Sequence, residues 1–207
     1  MNKALPWIAF LAGTLLLIFL LAQSSTVTTG SKLKFDLTAE DHAKGMAGAN
    51  AVIVEYSDFQ CPACSSTYPL LSQLVKDHPN DVQVIYRHFP LVSIHQHSLV
   101  SAQAAEASAI QGKFWEMHDM LFNTQRTWSQ SADPTELFIS FATSLGLDIP
   151  KFKEDLVSEE VKSKIQASLK QANQMGLNKT PTLFLNGKEI SHPGSYDGFE
   201  ALISTAK

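Results

Sequence analysis

The sequence predicts an α/β fold in which a parallel strand-helix-strand unit is followed by an inserted run of helices and preceded by one N-terminal transmembrane helix. Apolar strand patterns at residues 52–56 and 82–89 flank a helical pattern. Helical patterns then follow one another through residues 95–175 before strand patterns return. With 207 residues and 44% hydrophobic side chains, the chain is large enough for a real core. Its net charge of −4 gives no argument for nucleic-acid binding.

The first 23 residues predict a membrane anchor. Lys3 is their only charged side chain, and residues 5–22 would span about 27 Å as a helix, close to the thickness of a bilayer core. This run exceeds a signal-peptide core of roughly 7–15 residues, which favours a retained anchor, although Ala22-Gln23-Ser24 also suits a cleavage site.

The charge on the short N-terminal side orients the anchor with its N-terminus inside. We therefore predict a single-pass cell-membrane protein whose remaining chain lies on the extracytoplasmic side, periplasmic or extracellular. Residues 24–31, rich in Ser and Thr, form a polar spacer in this prediction.

The first elements after the spacer predict a parallel βαβ unit. Residues 33–37 alternate apolar and polar side chains as in a short edge strand, and residues 41–50 contain two glycines typical of a loop. Residues 52–56 form a nearly continuous apolar run, which is typical of a central strand buried on both faces. A helix at 65–76 and a strand at 82–89 complete the unit.

Five helical patterns occupy the predicted insertion. They are residues 98–111, residues 114–122, a helix opened by Asp133-Pro134 and closed by Gly146, a short helix from Pro150, and residues 158–175. Such a run of helices after a βα pattern indicates an inserted helical subdomain over residues 95–175.

Strand patterns return after Gly176. Residues 180–185 and 188–190 flank Asn186-Gly187, and this dipeptide between apolar runs predicts a tight hairpin. A final helix at 196–206 has one apolar face. Residues 32–94 and 176–207 thus form one α/β domain on either side of the insertion.

The only two cysteines form the motif Cys61-Pro62-Ala63-Cys64, between the first buried strand and the helix that follows it. Cys61 is therefore expected at a helix N-terminus, where free backbone N–H groups and the helix dipole stabilise a thiolate. Pro62 suits the first turn, where a missing N–H costs nothing. Cys64, one turn on, is placed to resolve a mixed disulfide. The motif predicts a redox-active pair, with its own disulfide in place of any added cofactor.

Two other interpretations of the motif stay open, half of a zinc site and an inert bridge. A structural zinc site needs four ligands, but no second C-x-x-C or H-x3-5-H pair is present, and a bridge across so short a loop would stabilise the fold little. His95-Gln96-His97 can add imidazoles for copper or zinc, although we favour solvated or hydrogen-bonded histidines at a helix entry.

Glu55 places a carboxylate in the otherwise apolar central strand. It either points to a solvated edge or is a buried acid with a raised pKa that accepts the Cys64 proton during resolution.

Four separated motifs resemble the DsbA-type thiol:disulfide oxidoreductases, and more narrowly their single-domain, often membrane-anchored bacterial branch. The motifs are VIVEYSDFQCPAC at 52–64, YRHFPL at 86–91, GKFWEMHD at 112–119 and TPTLFLNG at 180–187. The resemblance runs from residue 35 to the C-terminus and implies a thioredoxin fold interrupted by a helical domain, with the disulfide at the junction.

The resemblance also implies roles for individual residues. Cys61 matches the exposed nucleophile, Cys64 the resolving cysteine and Glu55 the acidic residue of the preceding strand. Pro181 matches a cis-proline that faces the disulfide, where the backbone of Thr180 can pair with an extended substrate.

One position departs from the family pattern. Ala63 stands where the best-known oxidases carry a histidine whose charge helps to hold the thiolate, and losing that contact can shift the reduction potential by tens of millivolts. Thr180 also occurs in isomerase-type relatives, so the direction of electron flow stays open.

We therefore predict an extracytoplasmic thiol:disulfide oxidoreductase that gives its Cys61-Cys64 disulfide to exported proteins with free thiols. As the resemblance implies, a membrane-bound redox partner would reoxidise it. The first alternative is a reductase or isomerase of the same fold, and the second is a copper- or zinc-binding protein that uses both cysteines and a histidine.

Overall fold

The computed structural model describes residues 32–34 and 36–206. The anchor and spacer predicted for residues 1–23 and 24–31 lie outside these residues. Among the helices that the structure does describe, none has the length and apolar character needed to cross a bilayer.

Five strands form one sheet in the order β1-β3-β2-β4-β5. They are β1 (His42–Gly45), β2 (Ala51–Ser57), β3 (Val82–His88), β4 (Thr182–Leu185) and β5 (Lys188–Ile190). The central strand β2 runs parallel to β3 and antiparallel to β4, so that Val54 pairs with Ile85 on one side and with Phe184 on the other. The predicted parallel pair and the buried central strand are confirmed.

Eight helices are described, and six of them follow one another between β3 and β4. They are α1 (Pro62–Asp77), α2 (Ser98–Ile110), α3 (Phe114–Asn123), α4 (Gln125–Trp128), α5 (Thr135–Ser144), α6 (Ile149–Leu156), α7 (Glu159–Gln174) and α8 (Tyr196–Ser204). The mixed α/β fold with a helical run between its strands is as predicted, apart from the short α4, which the sequence patterns missed. The boundaries of the insertion at residues 95 and 175 stay predictions.

Both faces of the sheet are covered by helices. Apolar side chains of β2, β3 and β4 pack on one face against α1 and α8, in a cluster that includes Ile53, Val84, Leu183, Leu71, Leu74 and Phe199. On the other face the same strands pack against the end of α7, in a cluster that includes Val54, Ile85, Phe184, Ala172 and Met175. Burial on both faces explains why β2 and β3 are nearly uninterrupted apolar runs.

A third apolar cluster joins the helical run to the end of the sheet. It contains Cys61 and Cys64 together with Phe59 and Tyr86, and large side chains of the inserted helices such as Met117, Trp128, Phe138 and Phe152. The cysteine pair therefore lies where the inserted helices meet the α/β part of the chain.

The predicted hairpin is confirmed. Asn186 and Gly187 have backbone φ angles of 47° and 79°, and two consecutive positive φ values are what a two-residue type I′ turn requires. The Asn186 side chain also accepts a hydrogen bond from the Val52 N–H at 2.8 Å, which fastens the hairpin to β2.

Two predictions about the start of the domain were wrong. Of the predicted edge strand at residues 33–37, the structure describes residues 33, 34, 36 and 37, and none of these lies in a strand. The neighbouring Lys32 makes one isolated bridge to Lys188. The strand β1 lies instead inside the predicted loop at residues 41–50. It pairs with β3 because Gly45, at a φ of 98°, lets the backbone pass so close to β3 that a Cβ atom there would lie 2.3 Å from the Val82 carbonyl oxygen.

Candidate active site at the Cys61-Cys64 pair

Cys61 caps the N-terminus of α1, as the sequence predicts, and Pro62 is the first residue of the helix. The Cys61 N–H donates to the Asp58 carbonyl at 3.0 Å, and the Cys61 carbonyl accepts from the Ser65 N–H at 3.1 Å. Both cysteines are free thiols in this structure. The strand-turn-helix connection thus places the first sulfur at the helix end that favours negative charge.

The two thiols differ in accessibility. Cys61 is 7% exposed and Cys64 is fully buried. The resemblance implied an exposed nucleophile, but Cys61 is largely covered because the loop that carries Thr180 lies against it, with the Cys61 sulfur 3.4 Å from the Thr180 carbonyl oxygen. Cys61 remains the sulfur that an incoming thiolate reaches first.

The pKa of Cys61 is lowered to about 5. The largest cause is a hydrogen bond from the Cys64 thiol; burial opposes it, and the Thr180 side chain and the backbone N–H groups of Cys64 and Ala63 lower the pKa further. The backbone N–H groups at the helix terminus therefore stabilise the Cys61 thiolate, which the methyl group of Ala63 cannot do. At neutral pH Cys61 is a thiolate, which is the reactive form in disulfide exchange.

The pKa of Cys64 moves in the opposite direction, well above its ordinary value. Burial is the main cause, and the hydrogen bond to Cys61 and the negative charge of Glu55 add to it. One thiol is thus a ready nucleophile, whereas the other keeps its proton until a base removes it.

Glu55 is 2% exposed, so the solvated-edge interpretation of this residue is wrong and the buried one is right. Burial raises its pKa to about 7, against a hydrogen bond from Ser57 that lowers it, and the charge of Cys61 raises it further. The Ser57 hydroxyl donates to Glu55 Oε1 at 2.8 Å. A carboxyl group that titrates near neutral pH beside two thiols has the properties of a proton carrier; this role stays a prediction.

Tyr86 is a site residue that the sequence analysis missed. Its hydroxyl is buried and has no hydrogen-bond partner among the described residues. Burial raises its pKa well above the usual range, the charges of Glu55, Cys64 and Asp58 add to the shift, and the side chain of Ser57 opposes it. Tyr86 pairs with Glu55 in the β2-β3 register, so the predicted parallel pair carried a signal for this contact.

Gln125 is a second missed residue. Its side chain reaches from α4 to the motif and donates to the Phe59 carbonyl at 2.7 Å and to the Cys61 carbonyl at 3.0 Å. A single glutamine in a one-turn helix carries no signal of such a contact in the sequence.

The histidines at the entry of α2 are hydrogen-bonded, as we favoured. His95 Nδ1 lies 2.8 Å from Asp58 Oδ2, and His97 Nε2 lies 2.8 Å from the Ser131 carbonyl. Within the part of the chain that the structure describes, neither joins the cysteines in a group of metal-ligand atoms. The predicted alternative of a copper or zinc site on the cysteine pair is therefore not assembled there.

Thr180 and Pro181 border the cysteines from the opposite side. The Thr180-Pro181 peptide bond is cis, as the resemblance implied, and β4 begins one residue later, at Thr182. A groove of about 430 Å³ is lined by Ala63, Pro181, Ile190 and other residues of this surface. It offers room for an extended chain beside the motif; binding there stays a prediction.

Comparison with known proteins places these features in context. The chain matches the protein-family model described as Thioredoxin over residues 37–205. The fold of BdbD from Bacillus subtilis is similar, with a TM-score of 0.71 and 24% identity over 86% of this chain and 96% of that one. A thioredoxin-like oxidoreductase from Silicibacter pomeroyi has a TM-score of 0.69 and 25% identity over 82% of this chain and 93% of that one. The fold of alpha-DsbA1 from Wolbachia pipientis is also similar, with a TM-score of 0.71 and 20% identity over 82% of this chain and 92% of that one.

Curated relatives with similar sequences are larger proteins. Na(+)/H(+) antiporter NhaA 3 from Salinispora tropica is 34% identical over 80% of this chain, and NhaA 1 from Salinispora arenicola is 38% identical over 78% of it. The chain spans only 24% of the length of each of these relatives.

Proposed function

The chain belongs to the thioredoxin family as a thiol:disulfide oxidoreductase of DsbA-like fold, and we propose that it is an extracytoplasmic oxidase that transfers its Cys61-Cys64 disulfide to exported proteins. The observation that carries this proposal is the low pKa of Cys61, about 5. Every contact that stabilises the Cys61 thiolate stabilises the reduced pair, and a disulfide with a stabilised reduced form is a stronger oxidant. The geometry thus favours an oxidase although Ala63 replaces a histidine.

The proposed reaction is a two-electron exchange. A substrate thiolate attacks Cys61 Sγ, the bond to Cys64 breaks, and Cys64 leaves with the electron pair. The second substrate thiolate then attacks the substrate sulfur of the mixed disulfide, and Cys61 leaves as a thiolate. The substrate is oxidised to a disulfide and the cysteine pair is reduced.

Glu55 serves this reaction as a proton carrier. Cys64 needs a proton when it leaves because burial holds its pKa well above the ordinary value. With a pKa of about 7, Glu55 can donate that proton and take it back when the pair is reoxidised.

The location and the partners rest on the sequence and on the chemistry. The uncharged run at residues 5–22 supports a membrane anchor, and a chain with two cysteines in one motif has no other thiol to misoxidise outside the cytoplasm. The reduced pair must lose two electrons before the next cycle. We therefore propose a membrane-bound electron acceptor as the partner that reoxidises it.

The reduction potential tests the direction of transfer. We would equilibrate the purified full chain with glutathione buffers and quantify the reduced fraction by a mass shift after alkylation. A value near or above about −150 mV supports a disulfide donor, whereas a value near or below about −250 mV identifies a reductase. In cells, a Cys61→Ser variant should leave exported substrates with free thiols, and unchanged disulfide formation in all of them would contradict the proposal.

A further inference from the structure

Three side chains that the sequence analysis did not single out converge away from the cysteine motif. His42 lies on β1, His88 ends β3 and Glu106 lies on α2. His42 Nε2 and His88 Nε2 lie 2.7 and 2.8 Å from the same carboxylate oxygen, Glu106 Oε1. The side chains are 12%, 3% and 2% exposed, respectively. The three atoms all lie within 4.8 Å of one another, so one ion can reach all of them.

We propose that His42, His88 and Glu106 form a binding site for a divalent first-row transition metal ion of the Zn²⁺ type. Two imidazoles and one carboxylate are a ligand set that zinc sites use when a fourth position stays open to water or another ligand. Calcium and magnesium prefer oxygen ligands, so the two imidazoles argue against them. An ion about 2 Å from each ligand atom needs these atoms about 3.3 Å apart. The carboxylate oxygen must therefore move about half an ångström away from each imidazole nitrogen, and the two nitrogens, which lie within 4.8 Å of each other, must adopt the same spacing.

The two imidazoles are already held in place. The His42 ring stacks on Phe114 with a centroid distance of 3.4 Å and an interplanar angle of 5°. The His88 ring meets the same Phe114 edge-on at 6.1 Å. Because these ring contacts already fix both imidazoles, a bound ion would have to order the two side chains little further.

The site opens to solvent through a cleft that favours cations. The cleft has a volume of about 900 Å³ and His42 and Glu106 lie in its wall. Its lining carries five carboxylates, which are those of Glu40, Asp41, Glu106, Glu116 and Glu160, and one ammonium group, that of Lys164. Arg87 pairs with Asp41 and Lys113 pairs with Glu116, so the excess negative charge of the cleft comes from Glu40 and Glu160. Such an excess in a concave surface raises the local concentration of cations.

Lys164 is the group that competes with an ion. Its Nζ lies 3.0 Å from Glu106 Oε2, on the carboxylate oxygen that the histidines do not contact, and its side chain is 37% exposed. A bound ion can use Oε1 while Lys164 keeps Oε2 or turns into the cleft. The alternative is a hydrogen-bonded network in which three donors satisfy Glu106 without an ion. Removing the positive charge of Lys164 distinguishes the metal site from the ion-free network. Only a metal site would bind the ion more tightly once this charge is gone.

The experiment titrates Zn²⁺ into the oxidised full chain against a colorimetric chelator. The Cys61-Cys64 disulfide keeps both sulfurs from binding the metal, so the result does not depend on the proposed redox function. We expect one Zn²⁺ per chain, at least about tenfold weaker binding in Glu106→Gln and His42→Gln, and several-fold tighter binding in Lys164→Gln. His78→Gln is the matched control, because His78 forms a similar pair with Glu200 elsewhere and should not affect binding.

A spectroscopic readout guards against misfolded variants. Co²⁺ in the oxidised wild type should give visible d–d bands without a sulfur charge-transfer band, and circular dichroism should show that each variant is folded. Absence of binding in the wild type, or equal affinity in the wild type and the folded Glu106→Gln and His42→Gln variants, would overturn the proposal and leave a hydrogen-bonded network only.

Discussion

The side-chain amide of Gln125 donates a hydrogen bond to the carbonyl oxygen of Cys61 across 3.0 Å. Gln125 belongs to the inserted helices, whereas Cys61 begins α1. The same amide donates to the Phe59 carbonyl at 2.7 Å. One buried side chain thus fastens the inserted helices to the backbone of the nucleophile.

Replacing Gln125 by alanine leaves two buried carbonyl groups without this donor. We expect Gln125→Ala to lower the free energy of unfolding by about 1–3 kcal/mol, measured by urea denaturation of the oxidised protein. Gln111 is a matched control, since it also bridges backbone groups, those of Asp148, but in an exposed setting where water replaces it. Equal losses in Gln125→Ala and Gln111→Ala would show that burial of the amide is unimportant.

Tyr86 and Tyr56 offer a second matched comparison. The Tyr86 hydroxyl is buried without a partner among the described residues, whereas Tyr56 accepts from Arg87 at 3.1 Å and donates to Gln171 at 3.4 Å. Removing an unpaired buried hydroxyl is nearly neutral, so Tyr86→Phe should change the free energy of unfolding by less than about 1 kcal/mol. Tyr56→Phe should cost about 1–2 kcal/mol in the same urea series. A larger loss for Tyr86→Phe than for Tyr56→Phe would show that the Tyr86 hydroxyl is bonded in solution.

The elements that the sequence predicted well are those with local signals. The parallel strands were visible as apolar runs, the hairpin as Asn186-Gly187, and the buried acid as a lone charge at Glu55. The strand β1 has no such signal, because its four residues include glycine and its pairing depends on a distant strand.

The rest of the candidate site depends on contacts between residues far apart in the chain. His42, His88 and Glu106 come together because β1 pairs with β3 and α2 packs beside them, with His42 opposite Tyr86 in the register. Gln125 reaches the motif from a helix of four residues. Periodicity reports which face of an element is buried but not what that face meets, so neither contact was predictable from the sequence.

The lowered pKa of Cys61 predicts a thiolate that persists into acid. Titration of the reduced protein by ultraviolet thiolate absorbance should give a midpoint near pH 5. Cys64→Ala removes the hydrogen bond that contributes most to this shift, so the midpoint should rise by about one unit or more. Cys61→Ser should lack the transition, and a transition that survives in it would assign the thiolate to Cys64.

The same pKa makes the stability of the reduced form depend on pH. In the unfolded chain the pKa of Cys61 is about 8.5, above its folded value. At pH values between these two pKa values the unfolded state therefore binds more protons than the folded state. The stabilisation is present in full above the unfolded pKa and is lost as the pH falls through about 5. Urea denaturation should therefore show the reduced form gaining stability relative to the oxidised form from pH 5 to pH 8. A constant difference would contradict the assignment.

Glu55 predicts a pH effect of the opposite sign. Its folded pKa of about 7 lies above the ordinary value for glutamate, so its stabilising contribution is complete at acid pH and is lost as the pH rises through 7. Glu55→Gln cannot ionise, and its stability relative to the wild type should therefore grow between about pH 4.3 and pH 7 by up to about 3 kcal/mol. We would measure this in the oxidised form, where Cys61 carries no charge and burial remains as the main cause of the raised Glu55 pKa, with the surface variant Glu116→Gln as the control.

The same Glu55→Gln variant separates the kinetic role of Glu55 from its effect on stability. If Glu55 carries the Cys64 proton, Glu55→Gln should oxidise a two-cysteine peptide roughly 100-fold more slowly at pH 7, and the dependence of the rate on a group with a pKa of about 7 should disappear. Stopped-flow measurement of each exchange step should place the loss in the steps in which Cys64 leaves or attacks. A variant that is more stable at pH 7 but exchanges at the wild-type rate would mean that Glu55 is a buried acid without a part in proton transfer.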